Sequence, residues 1–168
     1  MKSSEKKSTK QSETGTLLQL TKQLLANYQP VAVKQNSFFI NDVPSHLPLY
    51  ADRQILETLL GSLFYLTARC GRDTCIKVTA KAYHDVLLLH IVDTSTFNSY
   101  AILSQLQHLQ ILAEKIGGFL DITSRRNKFT TISFSFMNRK DNYLTIGKRS
   151  ENEIERNDED FIKYLRAS

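Results

Sequence analysis

Cysteine, glycine and proline are all scarce in this 168-residue chain, at two, six and three residues. Cys70 and Cys75 are spaced C-x4-C with no His/Cys partner set around them. That excludes a four-ligand zinc site and leaves two reduced thiols. His46, His84, His90 and His108 share no ligand spacing, so no metal centre is expected. No run of about 18 apolar residues is present, and the N-terminal MKSSEKKSTKQSETG is polar where a signal peptide would be apolar. The expectation is a cytoplasmic protein with no membrane association. Charge is not concentrated on any helix face: the formal net charge is +5, with the early lysines contributing to it. This argues against a groove-reading nucleic-acid binder. Only a nonspecific binding module, resting on the high pI and the lysine arm, stays open as a minor alternative.

What is present suits one domain with tails. Hydrophobic residues make up 41% of the chain, and nine Phe and seven Tyr can fill a single core. Residues 1–13 are Lys, Ser, Thr, Glu and Gln without apolar period, which predicts a disordered basic arm. Residues 14–137 carry the periodic segments. Residues 138–168 form a charged tail in which Phe161, Tyr164 and Leu165 offer a small apolar face for a terminal helix.

Within the periodic region, Leu17, Leu20, Leu24 and Leu25 predict a helix over Thr16 to Tyr28, stopped by Pro30. Phe38-Phe39-Ile40 reads as a strand closed by the turn-prone Asn41-Asp42-Val43-Pro44. Tyr50 to Cys70 is the organising stretch. Asp52 suits an N-cap, and Ile55, Leu59, Leu63, Leu66 and Cys70, widened by Leu56, Leu60 and Phe64, predict a buried helix from about Arg53. Gly71-Arg72-Asp73 gives a turn, Ile76, Val78 and Ala80 an alternating strand, and His84-Asp85 a hairpin. The run VLLLHIV, 86–92, predicts a strand central in its sheet or covered on both faces. A short polar link then leads to a helix from about Tyr100, ended by Gly117-Gly118. Phe119 to Ser124 and Thr130 to Phe136 form a last hairpin around a basic turn, itself readable as a solvated loop or a contact for an acidic partner. The order predicts an α+β, two-layer sandwich, with helices on one face of a mixed, mainly antiparallel sheet.

The stretch from Ala51 resembles the asparagine-box helix of the GHKL ATPase superfamily, the ATP-binding domain of sensor histidine kinases, in the form A-D-x-x-x-L-x-x-x-L-x-N-L-x-x-N-A-x-K. Ala51, Asp52, Leu56, Leu60, Leu63 and Arg69 fit it. The preceding order of helix, Pro-Val-Ala, strand and V-P-x-x-L-P-x-x-A-D is similar to the entry into such a domain. The resemblance covers about residues 16 to 137 and implies the histidine-kinase ATPase fold. It implies a vestigial nucleotide site as well.

The two asparagine positions of the family read Ser62 and Leu66, and a leucine supplies no oxygen for magnesium. Asp93 matches the aspartate that meets the adenine amino group, while Ser95 and Phe97 stand where glycines would let the backbone approach the ligand. The second glycine box is replaced by Leu103 and Gln105. In the last hairpin, Ser124 and Thr130 are kept, Asn127 can take the left-handed conformation of a glycine, and Phe129 cannot easily do so.

The resemblance therefore implies a degenerate ATPase domain with no catalytic residue, no metal and no cofactor. Its role would be in signalling or regulation through a protein partner, with homodimerisation a further option. The alternative within the superfamily is a small ATP-binding kinase or anti-sigma-type regulator, with ATP and magnesium as cofactors. The apolar replacements Leu66, Phe97, Leu103 and Phe129 lead to one more expectation: that the former nucleotide cavity is filled by collapsed side chains.

Overall fold

The computed structural model describes residues 15–94, 99–125 and 129–140, with the stretch 99–104 described through its backbone alone. The sequence expectations for the basic arm, the terminal helix, Ser95, Phe97, Asn127 and the side chain of Leu103 lie outside the described residues.

Thr16 opens the first helix, α1 (Leu17–Lys34), through a reciprocal capping box: its hydroxyl accepts from the Gln19 N–H, and the Gln19 side chain accepts from the Thr16 N–H. Contrary to the expectation from Pro30, the helix runs through that residue. A proline removes one hydrogen bond and crowds the preceding turn, at a cost of about 3 kcal/mol. The further turn offsets this by burying Ala32 and by placing the Gln29 side chain to accept from the Phe39 N–H. The true stop is Asn36, which takes the left-handed conformation at φ 55° while Ser37 N–H bonds back to Ala32 and Asn36 N–H to Val33.

Strand β1 (Phe38–Asp42) continues two residues beyond the predicted Ile40, because Asn41 and Asp42 pair with Val78 and Thr79. Helix α2 (Arg53–Cys70) starts where Asp52 accepts from the Ile55 N–H at 3.0 Å. Leu56, Leu59, Leu60, Leu63, Phe64 and Leu66 are all buried, as a stripe of that width requires. Then follow β2 (Cys75–Tyr83), β3 (Val86–Asp93), helix α3 (Ser99–Glu114), β4 (Phe119–Arg125) and β5 (Phe129–Met137). Gly117, at φ 62°, ends α3: Gly118 N–H reaches the Ala113 carbonyl and Gly117 N–H that of Glu114, a pair of bonds that needs a left-handed residue between them.

The sheet order is β1-β2-β3-β5-β4, parallel only between β1 and β2. Strand β3 is therefore central, as VLLLHIV implies. It is fully covered on one face only: Leu87, Leu89 and Ile91 are buried against the core, while Val86, Leu88, His90 and Val92 are half-buried on the other side. The inner face meets the helices in one core of aliphatic side chains with Phe64, Phe134 and Phe136. The architecture is the expected α+β sandwich. No helix among the described residues is long and apolar enough to cross a membrane.

Candidate functional site

The carboxyl end of β3 is where the sequence places its chemistry. Asp93 lies there beside two strands, opposite Ile76 on β2 and Thr130 on β5. Its side chain is 1% exposed, which for a carboxylate demands partners. One is the Thr74 hydroxyl, which donates to Asp93 Oδ1 at 2.7 Å and lies 2.8 Å from the Thr94 hydroxyl. Across the sheet, Thr130 is equally buried and its hydroxyl is 3.2 Å from that of Ser124. Thus the structure brings Asp93, Thr130 and Ser124 together.

Two turns hold Thr74 in place. Asn36 after α1 and Asp73 after α2 are both left-handed, at φ 55° and 51°, and the Asn36 amide donates to the Asp73 carboxylate at 2.6 Å. Asp73 N–H also reaches the Gln35 carbonyl, and Thr74 N–H the Ser37 hydroxyl. Gly71 lets the helix end come close: a Cβ there would stand 3.1 Å from Asp93 Oδ2 and 3.0 Å from the Thr74 methyl. The neighbouring Cys70 thiol is pushed up by burial, held down in part by Arg69 and raised again by the Asp93 charge.

The two α2 positions read from the asparagine pattern are one turn apart. Ser62 donates to the Thr58 carbonyl of its own helix at 2.8 Å. Leu66 is 4% exposed. Its apolar side chain offers no ligand to a cation. Among the described residues, no group of three His, Cys, Asp or Glu is placed to hold a metal ion.

Phe129 corrects part of the expected filling. It opens β5 in extended backbone on the face opposite Thr130, so its ring turns away from Asp93, and the Arg125 guanidinium lies 5.9 Å above it. Strand alternation decides this: adjacent residues on β5 cannot share a face. Leu66 is buried as expected.

Sequence reasoning missed Thr74 and Asn138, and read Gly71 only as part of a turn, not as a neighbour of Asp93. Asn138 Oδ1 accepts from the N–H groups of Tyr50 and Ala51 at 2.7 and 3.2 Å, and its amide donates to the Pro48 carbonyl at 2.9 Å. It thereby fixes the entry to α2 from a position just past the last strand. A polar residue directly after a strand was the available signal, but its partners lie about ninety residues away in sequence.

No protein-family model matches the chain, and neither does any curated protein. Solved structures do match. The histidine kinase AdeS of Acinetobacter baumannii superposes with a TM-score of 0.65 at 13% identity, over 76% of this chain and 67% of that one. A histidine kinase from Burkholderia phymatum gives 0.63 at 14% identity, over 73% of this chain and 68% of that one. The histidine kinase ThkA, in a complex with the response regulator protein TrrA, gives 0.62 at 16% identity, over 74% of this chain and 41% of that one. The isolated catalytic domain of ThkA gives 0.60 at 16% identity, over 73% of this chain and 92% of that domain. The fold is that of the histidine-kinase ATPase domain.

Proposed function

We propose that this chain is a degenerate histidine-kinase-type ATPase domain that acts by binding a signalling protein and does not hydrolyse ATP. The observation that carries the reading is Leu66, buried on α2 at the position where the resembling pattern has its magnesium-holding asparagine. Magnesium requires oxygen ligands in near-octahedral array, and that position supplies none. The residues present do not fit a magnesium-nucleotide. What supports the partner class is that ThkA, which shares the fold, has been solved with a response regulator; a response regulator or comparable signalling protein is the partner proposed here.

The second reading, an ATP-binding regulator of the same superfamily, is favoured by Asp93 and Thr130, which remain cross-strand neighbours at the end of β3. A thermal-shift titration separates the two. A ligand that binds the native state raises stability by an amount set by its concentration over Kd. At millimolar ATP with magnesium the melting temperature should not move; a reproducible rise of several degrees would establish the second reading instead.

A further inference from the structure

The sheet has a second face, on which apolar side chains stand among polar and charged ones. Along the strands this outer face carries Phe38 and Ile40 on β1, Val86, Leu88 and Val92 on β3, and Phe119 on β4. Phe38, Ile40 and Phe119 are 50%, 42% and 47% exposed. By register Phe119 and Leu88 flank Ser135 beside the row of Tyr83, Val86 and Met137, so apolar side chains adjoin at that end of the face, while Phe38 and Ile40 stand on the far edge strand. Adjoining apolar side chains that reach solvent mark an interaction site. Its charged residues are Lys77 and Lys81 on β2, Arg125 and Asp121 on β4, and Asp42 on β1, which Lys77 engages at 2.8 Å.

The chain itself holds a matching occupant. From Asn138, whose N–H bonds to the Asp85 carbonyl, the polypeptide leaves the sheet beside the outer-face row of Tyr83, Val86 and Met137. Twenty-eight residues follow Lys140. They carry seven acidic and five basic side chains, in a chain whose overall balance is +5. Six of the acids fall in Glu151 to Asp160 with a single arginine, immediately before Phe161, Tyr164 and Leu165. Those three are spaced i, i+3, i+4, which places them on one face if the segment is helical. A sheet of five strands is only about 24 Å wide at ~4.8 Å per strand, well within reach of ten or more residues at ~3.3 Å each. We infer that the C-terminal segment 151–168 docks on the outer face of its own sheet, setting Phe161, Tyr164 and Leu165 on the apolar side chains around Phe119, Leu88 and Val86 and the acidic run against Lys81 in the same row. This goes beyond the proposed function and does not depend on it.

The absence of tryptophan supplies the test. Phe161→Trp in the full chain introduces a single indole reporter. Docking predicts blue-shifted emission, protection from acrylamide, and no change on hundredfold dilution. Phe119→Asp on the exposed edge strand, and separately Lys81→Glu, should each shift the emission to the red while far-UV circular dichroism stays as in the parent. Solvent-exposed emission in the parent would overturn the inference. So would a blue shift lost on dilution, which would assign the face to a second copy, or a blue shift that neither outer-face variant alters, which would place the segment elsewhere.

Discussion

The Thr74 hydroxyl donates to the Asp93 carboxylate across 2.7 Å, in a place closed over by Gly71. This bond ties the start of β2 to the end of β3 and is itself fixed by the paired turns at Asn36 and Asp73. The feature that looks most like ligand chemistry in the sequence is therefore engaged in holding three segments of the fold together.

Removing that donor should be felt in stability. Thr74→Val keeps the side-chain shape and deletes the hydroxyl from a buried carboxylate, so we expect a loss of about 1–3 kcal/mol in urea unfolding. Thr74→Ser, which keeps the donor, should lose only about the 0.8 kcal/mol of one methyl group. If valine were as stable as threonine, water would be serving the carboxylate, and the site would be open.

The proline in α1 makes a prediction of opposite sign. Pro30 is exposed, lies inside a helix and leaves the Ala26 carbonyl without its usual donor. Pro30→Ala should restore that bond and raise stability by about 1–3 kcal/mol, part of the roughly 3 kcal/mol helix cost being returned by the freer unfolded chain. The midpoint of chemical unfolding measures it, and a fall in the midpoint would mean that the ring contributes packing of its own.

Pro30 also shows what could be read from the sequence and what could not. The apolar periods of α2 and β3 located the core correctly, because they depend on local spacing alone. Motif spacing singled out Asp93 and Thr130, which the register makes cross-strand neighbours. The end of α1 was misplaced because the deciding bonds, from Gln29 to Phe39 and Asn36 to Asp73, join segments distant in sequence. Thr74 and Asn138 were missed for the same reason: each takes its meaning from a partner that only the folded sheet brings near. The face on which Phe129 lies follows from strand register, which the basic turn before it leaves undetermined in sequence.

His90 should give the fold a pH dependence of defined sign. It stands on the outer face between Thr79 and Ser133, with Asp42 and Asp121 at the ends of the same row. Burial lowers its pKa and the nearby Lys81 charge lowers it further. The unfolded chain then takes up a proton more readily than the folded one. Stability from this group is complete above the ordinary histidine value of about 6.5 and is lost as pH falls from there through the lower folded value. Unfolding midpoints at pH 7.5 and 5.5 should differ less in His90→Gln than in the parent, and less in Lys81→Met too. An unchanged difference in both variants would assign the acid sensitivity to other groups.

Leu66 allows the sharpest test, because the substitution that would repair a nucleotide site is the one the packing opposes. Leu66→Asn restores the residue type of the magnesium-holding position in the resembling pattern. In a hydrated cleft an asparagine would be tolerated, and a magnesium-dependent gain in ATP binding or hydrolysis could follow. The leucine is instead buried on the wide apolar stripe of α2. An amide placed there without partners costs about 1–3 kcal/mol, and the lost apolar contacts of the leucine add to it. The expected variant is therefore less stable than the parent by at least that amount, with no magnesium-dependent ATP turnover. Leu66→Met serves as the control: it nearly conserves volume and apolarity and should cost under about 1.5 kcal/mol. A Leu66→Asn protein that unfolded with the parent's midpoint and hydrolysed ATP would require an open, wet site beside α2. The apolar side chain would then be a recent occupant of a pocket still able to work.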